Sequence, residues 1–123
     1  MNKIICNSIE FVFLNEIKLF IPGQQVLLHP GMEFKKLPVT EKPVYRSDIK
    51  NEPAGAVNDE IITAVTKYDE HSLLRKFISY PIVLRMKTDK ETFYVGSQNY
   101  PVAVELSSNK IFDTYTFSCK SEA

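Results

Sequence analysis

Tryptophan is absent from this sequence, and histidine and cysteine each occur only twice among its 123 residues. The lack of tryptophan removes the aromatic side chain that most often lies beneath bound sugars. Only four glycines are present and they lie far apart, so the glycine-rich loops that cradle phosphates and dinucleotides are missing. No apolar run approaches the roughly 18–20 residues that a transmembrane helix needs.

An excess of either charge is also missing, because 15 basic residues balance 15 acidic ones. Binding to nucleic acid requires several phosphates to be neutralised, and therefore a basic excess. Attraction to an anionic membrane surface likewise needs clustered Lys and Arg. The composition therefore predicts no nucleic-acid partner and no membrane association.

The two cysteines, Cys6 and Cys119, lie near opposite ends and form no CxxC pair, so zinc and thioredoxin chemistry are unsupported. Two states stay open: reduced thiols packed as small hydrophobic side chains, or a disulfide if the end strands are neighbours. The apolar stretch before residue 7 is shorter than the roughly 7–15 residues of a signal-peptide core. We therefore expect a cytoplasmic protein.

Hydrophobic alternation is the main positive signal. The apolar content of 44% is enough for one core, and 123 residues predict a single domain over 1–123. A period of two, typical of a strand with one buried face, runs from residue 9 to residue 21 and is broken once at Asn15. Asn15 marks either a hairpin turn or a bulge. The apolar positions of this run are Ile9, Phe11, Phe13, Ile17, Leu19 and Ile21.

One helix is predicted, over 69–80, with Asp69 as its N-cap and Pro81 after its end. Four strands with short turns then follow from Pro81 to Cys119 and predict an antiparallel meander. The expected fold class is mostly β (α+β): an antiparallel sandwich or partly closed barrel with one short helix near 69–80. On the last strand Ile111, Tyr115, Phe117 and Cys119 are expected to share a face.

Two segments are candidates for contact with a partner or ligand. The stretch 50–58 follows a proline-rich region and is small and polar, which predicts an exposed loop that carries Lys50, Glu52 and Asn58. The turn near residues 96–99 brings Tyr94, Asn99 and Tyr100 together in sequence, and exposed aromatics beside amides are typical of ligand sites. Cross-strand aromatic pairs in an ordinary core are the favoured explanation of the same tyrosines.

No constellation for catalysis or metal binding is visible. His29 and His71 lie in no nucleophile-elbow or similar context. Asp69, Glu70 and His71 are consecutive, so on a helix they cannot all face one ion. The sequence therefore predicts no catalytic residue, no metal, no cofactor and no enzymatic activity. An enzymatic alternative would need one of the histidines buried beside a carboxylate or Cys119.

The C-terminal half has a distinctive order of short segments: Leu73-Leu74-Arg75-Lys76, Pro81-Ile82-Val83-Leu84-Arg85, Lys87-Thr88-Asp89-Lys90, Phe93-Tyr94-Val95-Gly96-Ser97, Tyr100-Pro101-Val102 and Tyr115-Thr116-Phe117-Ser118-Cys119. This layout resembles that of small uncharacterised proteins encoded in prophage structural regions of Bacteroides-like bacteria, which look like minor particle components at the tail or the head–tail junction. The resemblance implies a cytoplasmic protein that associates with itself or a partner, and it transfers no catalytic residue.

Two hypotheses about function follow. The first is a non-catalytic structural or assembly protein, a minor phage-type particle component that forms homo-oligomers through the 50–58 segment or a sheet edge. The alternative is a β module that binds a small ligand or a carbohydrate through the tyrosines near residue 99.

Overall fold

The computed structural model describes residues 2–21, 25–53 and 55–122. These residues form antiparallel strands, one short α-helix and one 3₁₀ turn, and the fold is mostly β as predicted. The elements are β1 (Asn2–Ile5), β2 (Ser8–Phe13), a 3₁₀ turn (Leu14–Glu16), β3 (Ile17–Ile21), β4 (Gln25–Leu28), β5 (Lys35–Lys36), β6 (Val44–Glu52), β7 (Gly55–Lys67), α1 (Leu73–Lys76), β8 (Ile82–Lys87), β9 (Thr92–Val95), β10 (Ala103–Ser108) and β11 (Phe112–Glu122).

Two of the sheets enclose the core. Sheet A has the order β1-β6-β7-β11-β10, sheet B has the order β5-β2-β8-β9, and β3 and β4 form a separate pair. One cluster of buried side chains draws on both larger sheets: Tyr45, Ile62 and Phe117 from sheet A, and Phe11 and Leu84 from sheet B. This is the packing of a sandwich, and no barrel closes among the described residues.

The N-terminal alternation predicts strands correctly, but the two strands form neither a hairpin with each other nor one bulged strand. Asn15 lies in the 3₁₀ turn, after which the chain leaves sheet B, and β3 pairs with β4 instead of β2. The side chain of Glu16 fixes this turn, since its Oε1 accepts hydrogen bonds from the Phe13 amide at 3.0 Å and Lys35 Nζ at 2.8 Å. A local hydrogen bond of this kind competes with strand pairing.

The short helix is confirmed, although it covers four residues instead of twelve. Asp69 does not cap it: its carboxylate accepts the amide of His71 in a turn before the helix. After Lys76 the chain turns so that the Phe77 and Tyr80 rings meet Phe13 at 5.8 and 6.2 Å. Because a helix this short has little stability of its own, these tertiary contacts decide where it ends.

The predicted four-stranded meander is wrong in its connectivity. β8 and β9 form a hairpin in sheet B, whereas β10 and β11 form a hairpin in sheet A. Gly96, with φ +99°, begins the crossing, and Val102 then bridges to Ile82 before the chain enters sheet A. Crossing between the sheets lets both hairpins bury an apolar face in the same core, which a single meander would not do.

The cysteines resolve the alternative that the sequence left open. Cys6 and Cys119 are both buried and both free. The end strands β1 and β11 are not neighbours, because β6 and β7 lie between them in sheet A. No helix in the described part of the chain is long and apolar enough to cross a bilayer.

Candidate functional site

The segment predicted as an exposed loop, 50–58, is instead the end of a long β hairpin. β6 and β7 pair without interruption from Val44 opposite Thr63 to Glu52 opposite Gly55. The prolines that suggested a loop lie just outside this ladder, at positions 43 and 53, where a missing amide donor costs no ladder hydrogen bond. Lys50, Glu52 and Asn58 are therefore strand residues held in fixed register.

This hairpin projects beyond the core, and we call residues 48–52 and 55–59 the arm. Tyr45 and Ile49 point to the same side of β6, because alternate side chains of a strand do. Tyr45 is only 9% exposed, whereas Ile49 is 69% exposed. Sheet B therefore covers the hairpin near Tyr45 and no longer covers it four residues further on.

The root of the arm holds a polar cluster made by Tyr45, Glu60 and Cys119. The Tyr45 hydroxyl donates a 2.6 Å hydrogen bond to Glu60 Oε2, and Glu60 lies opposite Cys119 in the ladder. Burial raises the pKa of Glu60, and the bond from Tyr45 offsets part of that rise. Burial, together with the nearby acids, raises the pKa of Cys119 to about 11. The thiol is therefore protonated at neutral pH and is a poor nucleophile.

The outer side of the arm carries alternating charge. Lys50 Nζ lies 3.2 Å from Asp59 Oδ2, and Lys120 Nζ lies 3.7 Å from Glu52 Oε1. Asp48 lies directly opposite Asp59 in the ladder, so two acids share one cross-strand position. Like charges in this arrangement destabilise a sheet, and Lys50, together with Lys120 opposite Asp59, offsets part of that repulsion.

The second predicted cluster is divided between two places. The Tyr94 ring lies 6.0 Å from that of Phe34, and the Arg85 guanidinium lies 4.2 Å from the same Phe34 ring. Asn99 and Tyr100 lie on the turn between the sheets, which meets the arm's root where the Cys119 thiol donates to the Tyr100 carbonyl at 3.2 Å. The structure thus brings the turn to the arm and gives Tyr94 a different set of neighbours.

Ile49 is the site residue that the sequence analysis missed. Its signal was present, because Tyr45, Ser47 and Ile49 alternate with Arg46, Asp48, Lys50 and Glu52 as in a strand with two different faces. The nearby prolines and the polar composition hid that alternation.

The two histidines lie at the surface. His29 is exposed, and the His71 side chain is 78% exposed with Glu70 at 3.4 Å as its ion-pair neighbour. No cluster of three or more His, Cys, Asp or Glu that could hold a metal ion occurs in the parts of the chain that the structure describes.

No protein-family model, no curated protein and no solved structure matches this chain significantly.

Proposed function

We propose that this protein is a non-catalytic structural or assembly protein of the cytoplasm, which forms homo-oligomers through contacts made by the arm. The observation that carries the proposal is the position of the exposed Ile49 on a strand edge that pairs with β7 alone beyond Ser47 in the described chain. Single exposed apolar side chains are common on protein surfaces, but an apolar side chain on a strand edge that another chain can pair with is typical of an interface.

The resemblance of residues 73–121 supports a more specific role as a minor phage-type particle component, at the tail or the head–tail junction. Such components work by association with neighbouring subunits, and the arm supplies an element for that association. No cofactor takes part in this proposal.

The test is the oligomeric state in solution, measured by size-exclusion chromatography with light scattering. We expect the wild-type chain to be larger than a monomer, and Ile49→Asp to be monomeric because a charge cannot be buried there without a partner. Ile111→Asp is the matched control, since Ile111 is 67% exposed but lies outside the arm. A wild-type monomer at about millimolar concentration would overturn the proposal.

One observation favours the alternative, a module for a small ligand or carbohydrate. A groove of about 540 Å³ lies between residues 38–40 and 67–69, and the Tyr68 ring lines it. Arg75 stacks on Tyr68 at 4.9 Å and holds the ring in place. Thermal-shift and glycan-array screens test this candidate, and stabilisation by a ligand that Tyr68→Ala abolishes would favour it.

A further inference from the structure

Among the described residues, the outer edge of the arm has a strand on one side only. β1 pairs with β6 as far as Ser47, and in the described chain residues 48–52 pair with β7 alone. An unpaired edge can accept a strand from another molecule, whose main chain completes the hydrogen bonds. The side chains of β6 then determine which strand fits.

The sequence of β6 is complementary to itself when read in reverse. Residues 46–52 read Arg-Ser-Asp-Ile-Lys-Asn-Glu. If a second copy lies antiparallel with Ile49 opposite Ile49, then Asp48 lies opposite Lys50 and Arg46 lies opposite Glu52, each pair occurring twice. On the other side of the sheet Ser47 faces Asn51. Opposite charges at such positions stabilise paired strands.

The two neighbouring registers have the reverse property. Because the side-chain period is two, the next symmetric alignments that keep both faces are centred on Lys50 and on Asp48. The first would place Lys50 opposite Lys50 and Asp48 opposite Glu52. The second would place Asp48 opposite Asp48 and Arg46 opposite Lys50, so all of these pairs are repulsive. The charges of β6 therefore select the alignment centred on Ile49.

Pairing in that alignment also replaces one unfavourable neighbour and gives Asp48, which keeps its position opposite Asp59, a basic partner. Lys3 of β1 now lies opposite Arg46, and Asp48 lies opposite Asp59. In the paired state Glu52 of the second copy takes the place of Lys3, and its Lys50 lies beside Asp48.

Two contacts within the chain compete with this pairing. Lys50 contacts Asp59, where the side chains are 56% and 15% exposed, and Lys120 lies 3.7 Å from Glu52, where both side chains are exposed. Because at least one member of each pair is exposed, we expect both contacts to be weak.

Only the first part of β1 has to move. Asn2 and Lys3 occupy the positions beside Ser47 and Arg46, whereas Ile4 lies further along and packs against the core. In the second copy the β6–β7 hairpin turns directly after Glu52, which would lie opposite Arg46. The incoming strand therefore ends before the position opposite Tyr45, and Ile4 can stay there. β1 thus acts as a partial cover over a self-complementary edge.

We propose that two copies of this chain pair antiparallel through residues 46–52 of β6, about a two-fold axis at Ile49, with Asn2 and Lys3 giving way. This rests on the proposed function, because it names the partner and the geometry of the same arm.

Complementary charge variants test the register. Asp48→Lys places two lysines opposite each other across the interface, and Lys50→Asp places two aspartates opposite each other. The dissociation constant of the homodimer should therefore be about tenfold larger for each variant alone than for wild type. An equimolar mixture should recover wild-type affinity as a heterodimer, because the introduced lysine of one chain then faces the introduced aspartate of the other.

Sedimentation velocity at low salt measures the self-association of each variant and of the mixture. The unaltered positions keep their complementarity in the mixed dimer, since Lys50 of the first variant faces Asp48 of the second. Stronger self-association of Asp48→Lys alone would indicate the alignment centred on Lys50 and overturn the proposal.

A disulfide provides an independent readout. Directly opposed residues of antiparallel strands have Cα atoms about 4.5–5.5 Å apart, within the roughly 4.4–6.8 Å range of disulfides. Ile49→Cys should therefore form a disulfide-linked dimer on mild oxidation, and the equally exposed control Ile111→Cys should not. Cys6 and Cys119 are buried and do not interfere. Equal cross-linking of both variants, or of neither, contradicts the two-fold axis at Ile49.

These outcomes separate the two proposals. A wild-type monomer overturns both of them. An oligomer that responds to Ile49→Asp but not to the charge variants or the cysteine variant overturns only the strand pairing, and leaves the arm's apolar side as the contact.

Discussion

The two ends of the β6–β7 hairpin have the same backbone pairing and opposite surroundings. At the root, Tyr45 and Ile62 are buried against sheet B, and Tyr45 meets Phe93 edge-to-face at 5.1 Å. At the arm, Ile49 extends the same side of the sheet into solvent. The alternation of side chains is thus the same at the root and at the arm. Whether sheet B covers them decides which side chains stabilise the fold and which can contact a partner.

The largest difference between the two ends should appear on truncation of an isoleucine in each. Ile62 is 0% exposed, so Ile62→Ala should cost about 4 kcal/mol through lost burial and a cavity. Ile49→Ala should change the free energy of unfolding by less than about 0.5 kcal/mol. Urea denaturation of the monomer at low concentration measures both. Similar losses at the two positions would mean that the arm is covered within its own chain.

A charge pair gives the next largest contrast. Arg75 Nη2 donates to Asp113 Oδ1 at 2.6 Å, and the Asp113 side chain is only 1% exposed. Asp113→Asn should cost roughly 2–3 kcal/mol, because it leaves Arg75 without its counter-charge. Lys50→Ala removes the exposed pair with Asp59 and should cost less than about 1 kcal/mol. If the Asp113 variant proves as stable as wild type, the ion pair does not hold α1 to β11.

The same pair predicts a dependence on pH. Burial alone would raise the pKa of Asp113, but hydrogen bonds from Ser108 and Arg75 outweigh burial and hold that pKa below its usual range. A depressed carboxyl pKa stabilises the fold above the unfolded-state value of about 3.9, and this contribution is lost as the pH falls through the folded-state value. The stability gap between wild type and Asp113→Asn should therefore be constant from pH 7 to about 5 and narrow only below about 4. Chemical denaturation across this pH range measures the difference in the free energy of unfolding between the two proteins. A difference that disappears above pH 5 would contradict the prediction.

Gly96 tests the crossing that joins the turn to the root of the arm. A Cβ at Gly96 would lie 2.9 Å from Val102 Cγ2, and its φ of +99° is unfavourable for other residues. Gly96→Ala should cost about 2 kcal/mol, since conformational strain and a clash combine. At Gly31, which also has a positive φ but no atom within 4 Å, alanine should cost about 1 kcal/mol from strain alone. Equal melting-temperature shifts would mean that Val102 moves aside freely.

The smallest effect is expected where β1 covers β6. Lys3→Glu turns the Lys3–Arg46 neighbours into an opposite-charge pair, which should stabilise the fold by about 0.3–0.5 kcal/mol. Since this holds β1 in place, self-association should weaken at the same time by about twofold. Thermal denaturation measures the stability of the fold and sedimentation measures self-association. An increase in both would show that β1 does not compete with the second copy.

Local strand character was predictable, and pairing was not. The alternation at Ile9, Phe11 and Phe13 predicts β2 correctly, but it does not indicate that the segment after Asn15 leaves sheet B and pairs with β4. On β11, Tyr115 and Phe117 are buried as expected and Asp113 is buried with them, whereas Ile111 lies exposed in the turn before the strand. A buried aspartate is predictable only once its partner, Arg75, is known to be within reach.

In the arm, exposure was more predictable than secondary structure. Lys50 and Glu52 are exposed as predicted and Asn58 is partly buried, but the prediction that all three lie in a loop is wrong. The alternation of residues 45–52 indicates that Ile49 lies in a strand, but not that it is exposed, because an isoleucine in a strand is ordinarily buried. Its exposure depends on where sheet B ends.

By itself, the sequence determined the mostly β fold class, the short helix and the complementary order of charges along β6, because all three follow from the spacing of side chains along the chain. Only the tertiary structure decided that the last two hairpins belong to different sheets, that the cysteines stay apart, and that the arm extends past its cover. These outcomes depend on contacts between residues far apart in the chain, and the spacing of side chains within one segment does not encode them.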